Sequence, residues 1–521
     1  MSFTFLDWPR AEIFSSVSYL GLLLSGTVLY TVYKLIIAIY NYFFHPLRKI
    51  PGPPLASISW VPWYKYWFSG YMHRHVTRLH ETYGPVVRIG PSEISFISAT
   101  AWKDIYGLKR CRQIERDPQS FPSLTPNGAR FDVLTYSPID HAKYRKILNP
   151  CFSEKATREY ERTIHENVDK LVAKLEQNIS RGQKKNGSRE NVTNWFQWLT
   201  FDMVTDVCWG RSFECVANEK SHVCLALSMD LVSYSSFIVF VAWWKGLKDF
   251  LVKLSGVEGL FVHLVRSKCE EHHLIAAGNE LTGEKGKASI YSNLRAAGDP
   301  LDLAELDGNL TAIVIAGSET TGFALTATSY YLAKNPACFR RAASEVRSAF
   351  ASAEEINDDA LRKLPYLKAA IEEALRMTPA EPNGLARKVV VDGGLDIAGE
   401  WIPKGTAIYV SQFAANRSSA YFHLPNEYHP ERWLGEECPK EFRTDKLDAV
   451  QPFIMGVNVC IGRGLAWMEM RVTLAKLLWH FDWTVKGGDG EAFEQAKAWH
   501  VWTKSHVNLQ LHRRGALYGD L

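Results

Sequence analysis

The chain has 521 residues, of which 46% are hydrophobic and 12% aromatic, so it can fill a large core. Its formal net charge of +4 is close to neutral for this length and gives no support to nucleic-acid binding. The nine cysteines are odd in number and scattered, and no two of them form a Cys-x-x-Cys pair. That usage argues against a disulfide framework or a structural zinc site and favours a reducing compartment.

The N-terminal segment predicts a membrane anchor. No charged residue occurs from Ile13 to Tyr33, and a second apolar stretch, Leu35–Phe44, follows Lys34. At about 1.5 Å per residue, the first stretch is long enough to cross the core of a bilayer as a helix. It is too long for the core of a signal peptide, and no small-residue cleavage site follows it. We therefore predict a single transmembrane helix within residues 1–50; the alternative is a helix buried in the protein.

A proline-rich segment, Pro51–Pro54, follows the anchor. Proline fixes φ and stops a helix from continuing, so this segment predicts a stiff hinge and a domain boundary between residues 50 and 51. Positive charges after the span (Lys34, Arg48 and Lys49) outnumber the one before it (Arg10). By the positive-inside rule, the bulk of the chain faces the cytosol.

The second predicted domain, residues 51–521, is mostly helical. The helical pattern runs from about Lys143 to Ala360, and the polar stretch Asn178–Asn191 is interpreted as a surface loop. Short strand signals cluster late in the chain, at Leu395–Ile397, Trp401–Ile402 and Ala407–Val410. We therefore expect a mainly α fold with a smaller β portion.

One predicted helix, from Leu303 to Lys334, contains no proline and is apolar for much of its length. Near its middle lie Gly317, Glu319 and Thr320. A glycine there lets a flat ligand or dioxygen approach the backbone. An acid beside a hydroxyl in an apolar helix is costly unless it is used or paired. The alternative is a kinked helix with a solvated Glu319.

Two further motifs suggest a charge network. Glu373 and Arg376 lie one turn apart on a predicted helix, Leu367–Met377. Pairs of this kind usually sit on the surface and contribute little. Arg432, in the proline-bounded loop Pro430–Trp433, could complete a network with them.

The run from Phe453 to Gly462 can hold a haem iron. It places Cys460 directly ahead of a helical stretch that begins near Arg463, with Gly456 and Gly462 on either side. Free N–H groups at a helix N-terminus stabilise a thiolate, and glycines let the chain approach a flat macrocycle. Thiolate ligation favours O–O cleavage, which is oxygenase chemistry. The alternative is a cysteine that is merely buried.

Taken together and in this order, these segments resemble the cytochrome P-450 superfamily of haem-thiolate monooxygenases. The resemblance runs from the anchor to the C-terminus and is closest to the membrane-bound fungal enzymes of secondary metabolism, as Phe44–Pro51 and Ala101–Tyr106 show. It implies a cytochrome P-450 fold preceded by one transmembrane helix, and haem b (iron-protoporphyrin IX) as cofactor. It also implies the endoplasmic reticulum membrane as location, with membrane lipid, O2 and an NADPH-cytochrome P-450 reductase as partners.

The resemblance assigns roles to particular residues. Cys460 would be the axial iron ligand, and Thr320 and Glu319 would deliver protons for the cleavage of dioxygen. Glu373, Arg376 and Arg432 would form a structural triad. His141 and Arg145 match the helix that binds a haem propionate, and Arg387 matches another propionate contact. The implied cofactor-binding residues are His141, Arg145, Gly317, Arg387, Phe453, Gly456, Asn458 and Gly462.

One position departs from the family pattern. The family usually has Arg or His two residues before the cysteine, and this chain has Asn458. Asparagine can donate hydrogen bonds but cannot neutralise a carboxylate. Arg463 follows the cysteine and does not occupy the same place. We therefore expect the propionate on that side to be paired less strongly.

The leading functional hypothesis is a monooxygenase that inserts one oxygen atom from O2 into a lipophilic small molecule, an intermediate of terpenoid, polyketide or alkaloid biosynthesis. One alternative is a reductase-independent haem-thiolate isomerase or dehydratase, against which the Glu319-Thr320 pair argues. Another is a non-catalytic membrane haem protein, against which Gly317 beside that pair argues. Part of the substrate pocket is expected in Leu225–Trp244, whose aromatic residues suit a lipophilic molecule but equally a core or a membrane-dipping loop.

Overall fold

The computed structural model of the protein describes residues 19–117, 132–135, 137–181, 187–223, 225, 287–298 and 300–519. Residues 13–18 of the expected membrane span lie outside these ranges. So do residues 226–244, which are nearly all of the part of the substrate pocket expected in Leu225–Trp244.

Helices dominate the described part of the chain, which confirms the mainly α fold class. In chain order the α-helices are α1 (Tyr19–Ile39), α2 (Pro54–Ile58), α3 (Val61–Ser69), α4 (Met72–Tyr83), α5 (Ala99–Tyr106), α6 (Pro138–Leu148), α7 (Glu154–Arg181), α8 (Val192–Trp209), α9 (Cys215–Asn218), α10 (Ile290–Ala296), α11 (Leu303–Lys334), α12 (Pro336–Ala349), α13 (Asp358–Leu361), α14 (Pro365–Met377), α15 (Gln412–Asn416), α16 (Arg463–His480) and α17 (Glu491–Glu494).

The strands are short and form three sheets within the described residues. They are β1 (Val86–Gly90), β2 (Glu93–Phe96), β3 (Ile114–Arg116), β4 (Ser188–Asn191), β5 (Arg387–Val389), β6 (Leu395–Ile397), β7 (Glu400–Ile402), β8 (Ala407–Val410), β9 (Phe481–Thr484) and β10 (Asn508–Arg513). The largest sheet has the order β1-β2-β8-β5-β3, the second β4-β10-β9, and β6 pairs with β7. Only the β2–β8 pair among these is parallel.

The late strands confirm the sequence prediction, but several early ones were missed. β1 is buried along nearly its whole length and does not alternate between polar and apolar residues. β2 does alternate, but over only four residues. The prediction of a surface loop over Asn178–Asn191 is wrong at both ends. Helix α7 continues to Arg181, and polar Ser188–Asn191 forms a strand because its backbone pairs with β10, more than 300 positions away.

The apolar N-terminal segment is a helix whose side chains are exposed. Residues 21–44 are long and apolar enough to cross a membrane, and an apolar stretch of 18 residues within them has no residue buried inside the protein. Helix α1 runs past the uncharged stretch, through Lys34 to Ile39, and continues as a π-helical turn, Tyr40–Phe44. The ammonium group of Lys34 lies 5.2 Å from the ring centre of Tyr30, so its aliphatic stem runs along the helix surface.

The segment that joins the anchor to the globule is packed against the large sheet. The side chain of Leu47 is fully buried in the core beneath that sheet. The N–H of Arg88 donates to the carbonyl of Pro51 at 2.8 Å, and the Arg88 guanidinium donates to the carbonyl of Asn41 at 3.1 Å. The boundary between residues 50 and 51 stays a prediction, and the chain on both sides of it contacts β1.

Helix α11 crosses the centre of the main core, and its bounds agree with the sequence prediction. Asp302 and Glu305 form a capping box at its start, and Asn335 precedes Pro336 at its end. It packs on α8, α14 and α16. A Cβ at Gly317 would lie 3.0 Å from Cγ2 of Val204, so the glycine allows α8 to approach closely.

Candidate active site

The loop before α16 holds Cys460 in one backbone conformation. The N–H of Cys460 donates to the carbonyl of Phe453 at 2.9 Å. Gly456 has φ +72°, and a Cβ there would overlap the carbonyl oxygen of Tyr106. The positive φ and the lack of space for a Cβ both require glycine at position 456. Beside Gly462, by contrast, a Cβ would meet no atom within 4 Å.

The thiol of Cys460 lies in a recess of the fold. It is exposed, yet burial among the surrounding protein atoms raises its pKa. A hydrogen bond from the Gly462 N–H and the charges of Arg145 and Arg463 act in the opposite direction. A thiolate is therefore favoured here by donors and cations but disfavoured by desolvation, and a bound metal cation would offset that desolvation.

Three arginine side chains and one histidine converge beside this loop. Arg145 donates from Nη1 to the carbonyl of Val459, next to Cys460, at 3.0 Å. Arg387 begins β5 and lies directly opposite Arg116, the last residue of β3, in the antiparallel register. The pKa of His141 is lowered to about 4, first by burial and then by the charges of Arg116, Arg145 and Arg387. Such a concentration of positive charge fits the two carboxylates of a haem.

The sequence analysis did not single out Arg116. Its Nε donates to Oδ1 of Asn458 at 3.0 Å, and its Nη1 donates to the carbonyls of Val133 and Thr135 at 3.3 and 2.9 Å. A guanidinium therefore stands beside the position at which the chain lacks an Arg or His. No local pattern around Arg116 indicates this, because the contact joins residues 342 positions apart.

The acid and the hydroxyl of α11 point to different partners. Thr320 donates from Oγ1 to the carbonyl of Ala316 at 2.7 Å. Oε2 of Glu319 accepts a hydrogen bond from Nε2 of Gln197 at 2.9 Å. Burial raises the pKa of Glu319 to about 7, against the opposing effects of Lys504 and Gln197. The predicted alternative of a kinked helix with a solvated acid is not what the structure shows, because α11 is continuous and Glu319 is desolvated.

Glu319 borders a cleft of about 460 Å³ whose wall combines apolar residues with several polar side chains. Gln197 and Thr193 line it on one side, and Lys504 and Ser505 on the other. Lys504 is exposed at the surface. The cleft therefore leads from the protein surface to the buried carboxyl group on α11.

The Cys460 loop and α11 are connected through a second buried acid. Glu469, on α16, is hydrogen-bonded to Thr321, the neighbour of Thr320. Burial raises the pKa of Glu469 to about 8, which the bond to Thr321 only partly opposes. The helix that follows the cysteine is thereby fixed to the helix that carries the acid and the hydroxyl.

Glu373, Arg376 and Arg432 form a fully buried ion network, as the sequence analysis expected of the triad. Arg376 donates to both carboxylate oxygens of Glu373 at 2.7 and 2.9 Å, and Arg432 donates to Oε1 at 3.0 Å. Burial alone would raise the pKa of Glu373, but the two arginines lower it overall. Arg432 also pairs with Asp445, so two cations face two carboxylates.

Phe453 and Gly317, which the resemblance assigns to cofactor binding, each lie against a neighbouring helix. Phe453 is half-buried, with its ring centre 6.2 Å from that of Trp467. A side chain at position 317 would face α8. The role of Gly317 in admitting a flat ligand therefore stays a prediction.

A mainly α fold with this cysteine loop and a cationic cluster beside it defines a haem-thiolate oxidoreductase. The chain belongs to the cytochrome P-450 family, whose model matches residues 51–510 and whose members bind haem through a cysteine thiolate. It is 33% identical to the cytochrome P-450 monooxygenase astJ of Aspergillus oryzae over 91% of this chain and 94% of that protein.

Two other relatives carry names that describe a reaction. The trichothecene C-15 hydroxylase of Fusarium sporotrichioides is 32% identical over 92% of this chain and 96% of its own length. The versicolorin B desaturase stcL of Emericella nidulans is 34% identical over 94% of this chain and 97% of its own length. The chain therefore resembles fungal secondary-metabolite enzymes along nearly its whole length.

Proposed function

We propose that this protein is a membrane-anchored monooxygenase that inserts one atom of O2 into a lipophilic small molecule of fungal secondary metabolism. Electrons come from NADPH through a cytochrome P-450 reductase. The observation that carries the proposal is Glu319, a buried carboxyl group beside Thr320 with a pKa of about 7. Proton delivery is required to activate O2, whereas rearrangement of an already oxygenated substrate does not require it.

The residues around the Cys460 loop fit a haem. Cys460 would ligate the iron, and Arg116, Arg145 and Arg387 would receive the propionates beside His141. Bound in this way, haem supplies the activation of O2 that allows an oxygen atom to enter a C–H bond.

Glu319 is suited to move protons. A carboxyl group with a pKa of about 7 is present in both protonation states near neutral pH, so it can release a proton and take up another at little cost. Its Oε1 accepts no hydrogen bond from the residues that the structure describes, and Oε2 is held by Gln197. The polar side chains along the cleft, with Lys504 at its edge, provide a path for protons from solvent.

A second cleft supports a lipophilic substrate. It has a volume of about 740 Å³ and lies against α3, the second helix after the anchor segment. Trp60, Trp63 and Trp67 line it. Aromatic walls close to the membrane-directed end of the chain suit a hydrophobic molecule that arrives from the bilayer. From α1 as anchor and the excess of Lys and Arg that follows it, we further propose that the catalytic domain faces the cytosol at the endoplasmic reticulum.

The test uses the full-length protein in microsomes with and without reductase. The reduced wild-type protein should give a red-shifted thiolate-type carbon-monoxide band, and Cys460→Ser should not. Lipophilic candidates that shift the iron spin state are then incubated with NADPH, and products are sought by mass spectrometry for both hydroxylation and desaturation. Turnover that persists without NADPH would instead support an isomerase or dehydratase.

A further inference from the structure

The tryptophan-lined cleft lies between α3 and the large sheet. Trp63 and Trp67 stack with their ring centres 5.1 Å apart and their planes inclined by 19°, and the Trp60 ring meets that of Trp63 edge-on at 6.2 Å. Trp63 and Trp67 are both buried. The face of an indole ring attracts a cation, and more strongly where water is excluded. This wall therefore suits an apolar molecule and also a positive charge that the molecule carries.

Two buried carboxyl groups belong to the same cleft. Glu93 begins β2 and Asp117 directly follows β3, and both line the cleft. Their side chains are buried. Burial and then the negative charge of Asp117 raise the pKa of Glu93 to about 8, while the neighbouring Trp63 acts in the opposite direction. Glu93 is therefore mostly protonated at neutral pH, and a cation beside it would restore its charge.

Asn383 contributes an unused hydrogen-bond acceptor to the cleft. Its side chain lines the cleft and is 7% exposed. Nδ2 donates to the carbonyl of Trp499, which fixes the orientation of the amide. Oδ1 accepts no hydrogen bond from any residue within the described ranges. A buried acceptor without a partner is costly, and an ammonium N–H would satisfy it.

The other titratable groups of the cleft leave the potential at Glu93 negative. Burial lowers the pKa of His500 to about 4, so this ring is neutral at physiological pH. Burial raises the pKa of Tyr409 well above its ordinary value, so its hydroxyl is neutral as well. Lys388 borders the cleft as a cation. Among the described residues, however, the charge that acts on Glu93 is that of Asp117.

We propose that this cleft binds the ammonium group of a lipophilic amine, with Glu93 and Asp117 as counter-ions and the amide oxygen of Asn383 as a further acceptor. The tryptophan rings cover the apolar part of the molecule and the face of its cation. The inference rests on the proposed function, in which this cleft receives the arriving substrate, and it names the chemical class of that substrate. When the ammonium group binds, Glu93 becomes ionised and its proton leaves to the solvent.

The experiment uses the purified full-length holoprotein in lipid nanodiscs and two probes of the same shape. N,N-dimethylphenethylamine is a cation at neutral pH, and isopentylbenzene is its neutral carbon isostere. Isothermal titration calorimetry measures the binding of each probe, with empty nanodiscs as the blank. The amine should bind at least about tenfold more tightly than the isostere. Titrations in buffers of different ionisation enthalpy should show that about one proton is released per amine bound at pH 7.

Three variants locate the charge that the amine meets. Glu93→Gln keeps the shape of the protonated acid, so it should weaken amine binding about tenfold, abolish the proton release and leave the isostere unaffected. Glu436→Gln makes the same change at an exposed position and should match the wild type. Lys388→Gln removes a cation from the cleft, so amine binding should be unchanged or tighter.

Equal affinities for the amine and the isostere would overturn the proposal, as would a Glu93→Gln variant that binds the amine like the wild type. Weaker amine binding in Lys388→Gln would also contradict it, because the loss of a like charge cannot weaken a cation. If Glu93→Gln yields no holoprotein, the wild type decides: amine binding without proton release at pH 7 excludes an ionised Glu93 as the counter-ion.

The readout requires no NADPH, reductase or product. An amine that binds but is never oxidised leaves this site in place and counts against the proposed reaction. NADPH-dependent oxidation of neutral molecules, together with equal affinities for the two probes, supports the reaction and removes this site.

Discussion

Gln197 on α8 donates a hydrogen bond from Nε2 to Oε2 of Glu319 on α11, at 2.9 Å. The bond favours the ionised carboxylate and so opposes the burial that raises the pKa of Glu319. The balance leaves the pKa at about 7, within reach of physiological pH. The Gln197 amide on α8 thereby lowers the pKa of the acid that we propose transfers protons.

Glu319→Gln should reduce NADPH-driven product formation by roughly a hundredfold, because a glutamine cannot exchange a proton with the cleft. Haem content and the thiolate-type carbon-monoxide band should remain, since Glu319 makes none of the described contacts of the Cys460 loop. Product and NADPH consumption are measured together, so that uncoupled reduction of O2 is recognised. A fully active variant would exclude Glu319 from proton delivery.

Gln197→Leu should move the pH dependence of turnover upward. As a proton donor, Glu319 is active below its pKa, so the rate should fall as the pH rises through about 7. Removal of the Gln197 bond raises that pKa, so the falling limb shifts to higher pH. The pH profile of kcat is compared with that of Glu319→Gln, which should lack this limb altogether.

Glu469→Gln should stabilise the protein increasingly as the pH rises. The pKa of Glu469 is about 8 in the folded state against 4.5 as its ordinary value, so between these values the folded protein holds the extra proton. The free energy of unfolding therefore falls with rising pH across this window, and the substitution removes that fall. Thermal unfolding in detergent at pH 5 and pH 8 tests this. Glu436→Gln, at an exposed position, should leave the dependence unchanged.

Gly456→Ala should prevent haem incorporation. The added Cβ would overlap the Tyr106 carbonyl, and the positive φ adds strain, so the cysteine loop must move. Gly487→Ala is the control, because Gly487 is exposed outside the cysteine loop and the space beside it is open. Haem absorbance per protein should be lost in the first variant and kept in the second. Equal loss in both would show that the Tyr106 contact is not the cause.

Glu373→Gln should destabilise the protein by about 3–5 kcal/mol, because Arg376 would stay buried without its compensating charge. Lys368→Gln, on the same helix, breaks an exposed pair with Glu372 and should change the free energy of unfolding by less than about 1 kcal/mol. Thermal loss of the haem absorbance compares the two. Similar values would mean that the buried network contributes no more than a surface pair.

Local signals in the sequence predicted the long helix and the cysteine loop. The bounds of α11 followed from its proline-free apolar stretch and from Pro336, and in the structure the capping box of Asp302 and Glu305 fixes its start. The turn at Gly456 and the N–H of Gly462 likewise act on Cys460 over a few residues. The Glu373-Arg376 pair was visible as a spacing, but its burial was not.

Other features depended on parts of the chain that are distant in sequence. β2 is a strand because it pairs with β1 on one side and with distant β8 on the other, and the polar segment Ser188–Asn191 is a strand because it pairs with distant β10. Residue spacing along one segment contains no information on such partners. The loop prediction for that segment was wrong for this reason.

The sequence by itself determined the class of protein, because a haem-thiolate loop is a local backbone motif that needs a cysteine and glycines at short spacing. Only the tertiary structure decided the electrostatics around it. Arg116 reaches Asn458 across 342 positions, and Gln197 reaches Glu319 across 122. Charge and burial act through space, so the pKa of Glu319 and the cation beside Asn458 exist only once the helices and the sheet have packed.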